Sequence, residues 1–416
     1  MSVLATADPV GVPMLRMNNL QDDGWDLSDL KYINLPEPEL AKYRIQKGDI
    51  LFNRTNSKEL VGKCEVFRED GDWVFASYLI RVKLNPQKAL PDFVSAFLNT
   101  DAGRLQIDRV SRQIIGMSNV NAEELKDLEI PLPPLDIQRA LVAEMEAARA
   151  ARLSKLAEAE SLLQGMDGFV LAQLGLLLAR EKNERKIFAM RFGAVRQRFD
   201  VDYHTPYFRN LRTAIQNSAF EVVNLGEILK KPLTSGFAAG RGDQAEDDTV
   251  GVPHVRPFNI KPNGEFSLET IKFVPRENIS ASDWLTKGEV LFNNTNSTEW
   301  VGKSTVFEGE SECACSNHIT RLFLKPEKVE PVFVAALFNA LRSIGLFGLL
   351  STNFNNQAGI NSETLASLQL PLPPLAMQKS IADELSHRRE QARRLRGEAE
   401  LIWKEAKEQF EQALLG

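Results

Sequence analysis

The chain has 416 residues, of which 43% are hydrophobic and 25% charged, with 50 basic against 56 acidic side chains and a net charge of −6. That length allows two or three domains, each able to bury a core. The mild acidity excludes binding of nucleic acid by bulk positive charge, so any phosphate contact must come from locally gathered Lys and Arg or from a partner.

No run of about 18 apolar residues is present. The start "MSVLATADPVGVPML" lacks the basic and then apolar form of a secretory signal. Three cysteines (Cys64, Cys313, Cys315) make no disulfide framework and no metal-ligand set, so a cytoplasmic protein without a membrane span is expected.

In chain order, "GVPMLRMNNL" (11–20) opens a β-rich stretch, and "GDILFNRTNSKELVGKCEVF" (48–67) reads as strand, polar loop and strand. "WVFASYLIRVKL" (73–84) continues the sheet character. "PDFVSAFLNT" (91–100) places Phe93 and Phe97 four apart after a proline, which predicts a short helix burying one face. The proline-rich "IPLPPLDIQ" (130–138) then leads into a long polar helix, whose apolar positions are Leu141, Met145, Ala148, Ala159, Leu162 and Met166, interrupted by Arg152 and Lys155.

Each of these blocks returns 240 residues later: "GVPHVRPFNI" (251–260), "GEVLFNNTNSTEWVGKSTVF" (288–307), "ITRLFLKP" (319–326, matching "LIRVKLNP" at 79–86) and "LPLPPLAMQ" (370–378). The 48–67 block matches its copy at 13 of 20 positions. A shared offset without gaps marks a tandem duplication. The second long helix carries a heptad seam at Ile381, Leu385, Arg388, Ala392, Leu395, Ala399, Ile402 and Ala406. Two such helices, each short of a partner, are expected to pair with each other as an antiparallel coiled coil.

The predicted class is therefore α+β: two β-rich domains, each followed by a long helix. The expected boundaries are 1–134, a central helix over 135–185, a second domain over 186–374 and a C-terminal helix over 375–416. Residue 1 aligns with residue 241, so "RFDVDYHTPYFRNLRTAIQ" and "EVVNLGEILKKPLTSGF" have no counterpart in the first half. An unpaired sheet edge and a thinner first core follow from that. A late start, a compact variant or a piece supplied by another chain would each account for it.

Two related domains on paired helices suit a two-part target such as a DNA site with two half-sites. The candidate DNA-binding residues in the first copy are Arg16, Asn18, Asn19, Asn53, Arg54, Asn56, Ser57, Lys63, Arg112 and Asn119. Those in the second are Arg256, Asn259, Asn293, Asn294, Asn296, Ser297, Lys303, Asn353, Asn355 and Asn356. Asn, Gly, Ser and Thr also dominate tight turns for local reasons. Residues identical in both copies are expected to hold loop shape or touch backbone. Readout is expected where the copies differ: Met14 against His254, Asn18 against Phe258, Arg54 against Asn294, and 111–119 against 351–359.

The duplicated pattern of "GDILF…VGK…F", "LIR" with a nearby Pro, and "IPLPPLxxQ" opening a long helix resembles the specificity subunit of type I restriction–modification systems, over almost the whole chain. The resemblance implies two target-recognition domains and a coiled-coil spacer. It also implies double-stranded DNA, methyltransferase subunits (two) and restriction/translocase subunits as partners. Leu135, Gln138, Leu375 and Gln378, at the helix starts, are the candidate methyltransferase-docking residues, although a first-turn role explains the glutamines equally well. No cofactor is expected on this chain; S-adenosylmethionine, ATP and Mg are expected on partner subunits.

The residue inventory points the same way. The only Pro-Pro pairs sit in "LPPL", without the amide and aromatic neighbours of an adenine methyltransferase loop, and no P-loop is present. The four histidines are scattered. A non-catalytic subunit is expected. The alternative is a two-module coiled-coil adaptor binding protein or glycan; an enzyme acting alone ranks below both.

Overall fold

The computed structural model describes residues 5–21, 24–58, 60–114, 117–178, 201–245, 249, 251–309, 311–354 and 357–416. The chain divides into two compact units, residues 1–158 with 394–416, and residues 159–393.

The first unit contains β1 (Val12–Leu15), β2 (Lys31–Ile33), α1 (Glu37–Tyr43), β3 (Arg44–Ile45), β4 (Ile50–Asn53), β5 (Thr55–Asn56), β6 (Cys64–Val66), β7 (Trp73–Phe75) and β8 (Leu79–Val82). Helices α2 (Pro91–Leu98) and α3 (Asp101–Val110), the hairpin β9 (Arg112–Ile114) and β10 (Met117–Asn119), and α4 (Ala122–Lys126) follow. The long helix α5 (Leu135–Gln173) comes next, its part from Ala159 onward belonging to the second unit. These strands form three small sheets, ordered β2-β1-β7-β3, β8-β4-β6 and β9-β10-β5, and a further two-stranded pair joins Leu20–Gln21 to Gly24–Trp25.

The second unit adds α6 (Pro206–Gln216), β11 (Glu221–Asn224) and β12 (Thr234–Ser235). It then repeats the first with β13 (Gly251–Val255), β14 (Lys272–Pro275), β15 (Val290–Asn293), β16 (Thr295–Asn296), β17 (Ser304–Val306), β18 (Ala314–Cys315) and β19 (Ile319–Leu322). Helices α7 (Pro331–Ser343) and α8 (Leu346–Leu350), strands β20 (Thr352–Phe354) and β21 (Gln357–Gly359), α9 (Ser362–Ala366), β22 (Gln369–Leu372) and α10 (Leu375–Leu415) follow, the part of α10 from Arg394 onward belonging to the first unit.

The duplication extends to pairing register. Ile50 faces Val66 as Val290 faces Val306, and Thr55 faces Asn119 as Thr295 faces Gly359. Met14 likewise pairs with Val74 in parallel, as His254 does with Ala314. Because side chains alternate faces along a strand, equal registers deliver equivalent residues to equivalent faces in both units.

Helix α2 starts at a proline and buries Phe93 and Phe97 against Phe52, Val66, Ile107 and Val120. Each buried phenylalanine contributes roughly 1.5–3 kcal/mol of transfer free energy. The second copy is more aromatic, with Phe292, Phe338 and Phe347 meeting edge to face at centroid separations of 5.1–5.7 Å. Gly62 and Gly302 are obligatory in the "VGK" turn. Their φ values are 86° and 94°, and a Cβ would stand 2.7 Å from Ile107 in one case and 2.3 Å from Phe347 in the other. Asn99 on the helical side pairs its amide with both backbone groups of Cys64, as Asn339 does with those of Ser304.

In the first unit the long helices run antiparallel: as α5 advances through Arg149, Arg152 and Lys155, their partners on α10 recede through Trp403, Glu400 and Glu398. Arg152 and Lys155, the two breaks in the apolar seam, are thus accommodated by cross-helix ion pairs. Farther along α5 the buried positions are Ala159, Leu163, Met166 and Val170, so the seam passes through Leu163 rather than Leu162. The expected extent of 135–185 is corrected as well, because α5 stops at Gln173. Gly175 adopts φ 68°, Leu176 N–H bonds to Leu171 O (2.8 Å) and Gly175 N–H to Ala172 O (3.1 Å), a paired termination that satisfies the last carbonyls. The expected boundary at 186 lies outside the described residues.

The two units differ at one sheet edge. The second has a four-stranded sheet, β12-β19-β15-β17, and a further pair, β11-β22. Among the described residues of the first, the equivalent sheet ends at β8, and 129–132 form no strand. Ile80, Arg81 and Val82 are consequently half-buried where Thr320, Arg321 and Leu322 are buried.

The joint between sheet and helix rests on one buried side chain per unit. Gln138 accepts from Leu90 N–H (2.9 Å) and donates to Lys88 O (2.9 Å) and Pro133 O (2.8 Å). Gln378 accepts from Glu330 N–H (3.0 Å) and donates to Lys328 O (3.1 Å) and Pro373 O (2.8 Å). Replacing either with Leu leaves buried backbone groups unpaired. Gln138→Leu and Gln378→Leu are each expected to lower stability by about 1–3 kcal/mol, measured by denaturant unfolding. An unchanged midpoint would remove the glutamine from this structural role.

Candidate nucleic-acid interface

In each unit the loop after the central strand is wired to itself. Asn53 donates to Leu60 O and Asn293 to Trp300 O, both at 3.0 Å, while Asn56 and Asn296 each accept from the following serine N–H at 2.8 Å. The 3-10 turn at residues 16–19 is held the same way. Asn19 accepts from Arg16 N–H and donates to Asp26 O and Asp29 O, while Arg16 pairs with Asp29 at 2.9 Å. In the second turn Asn259 accepts from Arg256 N–H and donates to Ser267 O.

These bonds correct several sequence expectations. Asn19, Asn53, Asn259 and Asn293 are 0–2% exposed and their amides hold backbone, so they cannot also reach a base. Asn294 is buried and donates to Asn317 O and Thr320 Oγ1, whereas Arg54 at the matching position is half-buried, and Ile80 stands at the position of that threonine. Gln138 and Gln378, expected as docking residues, are 0% exposed and consumed by the joint. Leu135 and Leu375 beside them are half-buried.

Lys303 is also removed from the surface. Its Nζ donates to Pro257 O (2.8 Å) and Ile260 O (2.6 Å), pinning the "VGK" turn to the 3-10 turn. Burial, with Arg342 and Lys261 nearby, pushes its amine down to about 8. Its counterpart Lys63 is half-buried and lines a cleft of about 280 Å³ in the first unit, together with Arg68, Arg104, Arg149 and Lys407. Carboxylates neutralise much of that cluster: Arg68 pairs with Glu65 and Asp92, and Arg149 with Glu65.

The polar candidates that stay outward are Asn18, Ser297 and Asn353, which are exposed, with Asn56 and Ser57 half-buried. Arg112 and Asn119 stand next to each other across the β9–β10 pair. Arg256 is half-buried, with one guanidinium nitrogen enclosed. Asn355 and Asn356 lie outside the described residues. Phe258, in the position of Asn18, is 62% exposed with Lys261 Nζ 5.3 Å from its ring centre. Thr55, Thr295 and Thr352 are not among the singly named candidates, although Thr352 falls within the 351–359 stretch expected to differ in readout. Only strand register shows that they share a face with the candidates, although the differences between copies at 112 and 119 signalled the region.

The thiols carry no chemistry here, since burial pushes Cys64 and Cys315 up to about 12. Among the described residues no group of three or more His, Cys, Asp or Glu could hold a metal ion, and no helix is long and apolar enough to cross a membrane.

A duplicated α+β recognition module with long helices is the architecture of a DNA specificity chain. The protein belongs to the family described as the type I restriction modification DNA specificity domain, whose model matches residues 4–156 and again 217–392. It is 24% identical to the type I restriction enzyme MjaX specificity subunit of Methanocaldococcus jannaschii, over 91% of this chain and 80% of that one. It is 28% identical to the EcoKI specificity subunit of Escherichia coli over 33% of this chain and 30% of the relative. A chain from a solved structure concerning complex assembly and conformational transition of the type I R-M system matches its fold with TM-score 0.53 and 16% identity, over 97% of this chain and 90% of that one.

The Lys303 tether is testable by pH. Below about 8 the folded protein holds a protonated amine at a cost that the unfolded chain, with a pKa near 10.5, does not carry. The stability contributed by this group therefore rises between those values. Lys303→Met is expected to cost about 1–3 kcal/mol, because two carbonyls lose their donor. Its deficit against wild type should widen from pH 8 to 10.5 in denaturant titrations; a constant deficit would contradict the depressed amine.

Proposed function

We propose that this chain is the DNA sequence-recognition subunit of a type I restriction–modification complex, reading one half-site with each unit, and that chemistry is done by its partners. The observation that carries this reading is the match of one DNA-specificity family model to both units, whose strand registers agree at a constant offset. The adaptor alternative has no comparable support.

Partner adenine methyltransferase subunits, two per chain, would dock at the helix starts. Supporting docking at the first of these, Leu132 just before the helix and Ile137 in its first turn are 55% and 46% exposed, whereas at the second start Leu372 and Met377 are half-buried. S-adenosylmethionine would be bound by those subunits, and ATP and Mg by a restriction/translocase subunit. The residue inventory supports a non-catalytic role, since Cys64, Cys313 and Cys315 are all buried.

Genome-wide mapping of adenine methylation with and without the chain tests the function. The expected result is loss of one bipartite motif on deletion. In vitro, the chain with its methyltransferase should bind a duplex carrying that motif and lose the preference when the half-site spacing changes by one base pair. Unaltered methylation and spacing-independent binding would refute the reading.

A further inference from the structure

We infer that the outward row Thr55–Asn119–Arg112 reads base edges in the half-site of the first unit, and that the second unit, with Thr295–Gly359–Thr352 in the same row, reads its half-site by a different chemistry. This rests on the DNA-recognition reading above and concerns which side chains distinguish one half-site from the other.

Register defines the row. Asn119 is the direct cross-strand partner of both Thr55 and Arg112, and Gly359 of both Thr295 and Thr352. Direct partners lie side by side on one face of a sheet. The neighbouring position points the other way: Ser118 and Ala358 are each 1% exposed, whereas the Arg112 side chain is 73% exposed and Thr352 is exposed. The row of Thr55, Asn119 and Arg112 therefore lies on the face opposite Ser118, with Arg112 exposed and Thr55 and Asn119 half-buried.

The scaffold beneath this row is common to both units, including the registers, the Asn53 and Asn293 loop bonds and the glycine turn. The hairpin above it diverges on both faces, Ser118 against Ala358 on the buried one, and on the outward row as Asn against Gly and Arg against Thr. The support diverges with it. Arg112 is steadied by Glu124 at 2.8 Å, and Glu124 also accepts from Asn121 N–H to cap α4; the second unit has Thr364 at that position and Thr352 in place of the arginine. Arginine and guanine, and asparagine and adenine, form bidentate pairs in the major groove, which admits a two-stranded ribbon. Asn119 is half-buried, and its Oδ1 is enclosed without a hydrogen-bond partner among the described residues, so a bidentate pair with adenine requires that amide to turn outward, while Arg112 is already exposed. In the second unit the glycine leaves backbone and two threonines, Thr352 exposed and Thr295 with its hydroxyl donating to Asn294 Oδ1 (2.7 Å), a flat surface suited to close approach and to thymine methyl contact.

Gly359 can accept a side chain. A Cβ there would meet its nearest neighbours at 3.9–4.0 Å, so the row can be exchanged in either direction.

The test uses the full chain assembled with its methyltransferase on duplex libraries randomised in one half-site at a time, sequencing the methylated products. Asn119→Gly with Arg112→Thr is expected to relax base preference about tenfold or more at one or two positions of the first half-site, leaving the second half-site and the melting temperature unchanged. Gly359→Asn with Thr352→Arg is expected to alter the second half-site alone. Unchanged preferences in an assembly that still methylates would overturn the inference. Uniform weakening with preserved preferences would also do so, since it marks phosphate contact. A wild-type assembly that methylates no bipartite sequence would overturn the underlying reading and this one with it.

Discussion

The buried glutamine at the start of each long helix is the contact on which both units depend. Two consecutive prolines precede the helix, and neither can donate a backbone hydrogen bond. The carbonyl of Pro133 or Pro373 is nonetheless enclosed, and so are backbone groups at the entrance to the neighbouring helix. One amide of Gln138 or Gln378 serves all three segments at 2.8–3.1 Å. A carboxylate could not donate to the carbonyls and a lysine could not accept from the N–H. The chemistry therefore calls for an amide, and the first turn of the helix holds it in reach.

From that joint the two units diverge in how completely they are closed. Where β12 lies along β19, Arg321 is buried and pairs with Glu289 through two nitrogens at 2.7 and 2.8 Å, with further bonds to Ser282 O and Trp284 O. In the first unit Arg81 is half-buried and bonds instead to Arg44 O, and Asp49 stands where Glu289 does. A buried ion pair is tolerable only when every donor and acceptor is satisfied, which the covering strand and its neighbours allow in the second unit. The same difference leaves β8 as an edge strand, among the described residues, with Lys83 half-exposed beside it, the kind of charge that discourages pairing with another chain.

Much of the architecture was legible in the residues. The 240-residue offset needed only comparison of the chain with itself, and the proline-led helices and the heptad seam of the second long helix only local patterning; each appears in the fold, whereas the glutamines of the joint read as docking candidates. The exact end of α5 was not so clear, because apolar residues continue past Gln173 and the stop comes from a left-handed glycine. The site was read less well. "FNRTNS" and "FNNTNS" look like polar ligand loops, yet their asparagines mostly hold backbone. Arg54 and Asn294 align perfectly, and one is tied down by Thr320 while the other is not.

By itself the sequence determined that the chain is duplicated, that each copy ends in a long helix, and which family it resembles. These are properties of repeat and period, which survive without coordinates. Only the tertiary structure decided which polar side chains are occupied and which face outward. Lys303 is spent on carbonyls of Pro257 and Ile260, and Asn119 is brought beside Thr55 and Arg112 by strand pairing. Occupancy depends on partners distant along the chain, and a one-residue change of register would turn the whole row inward.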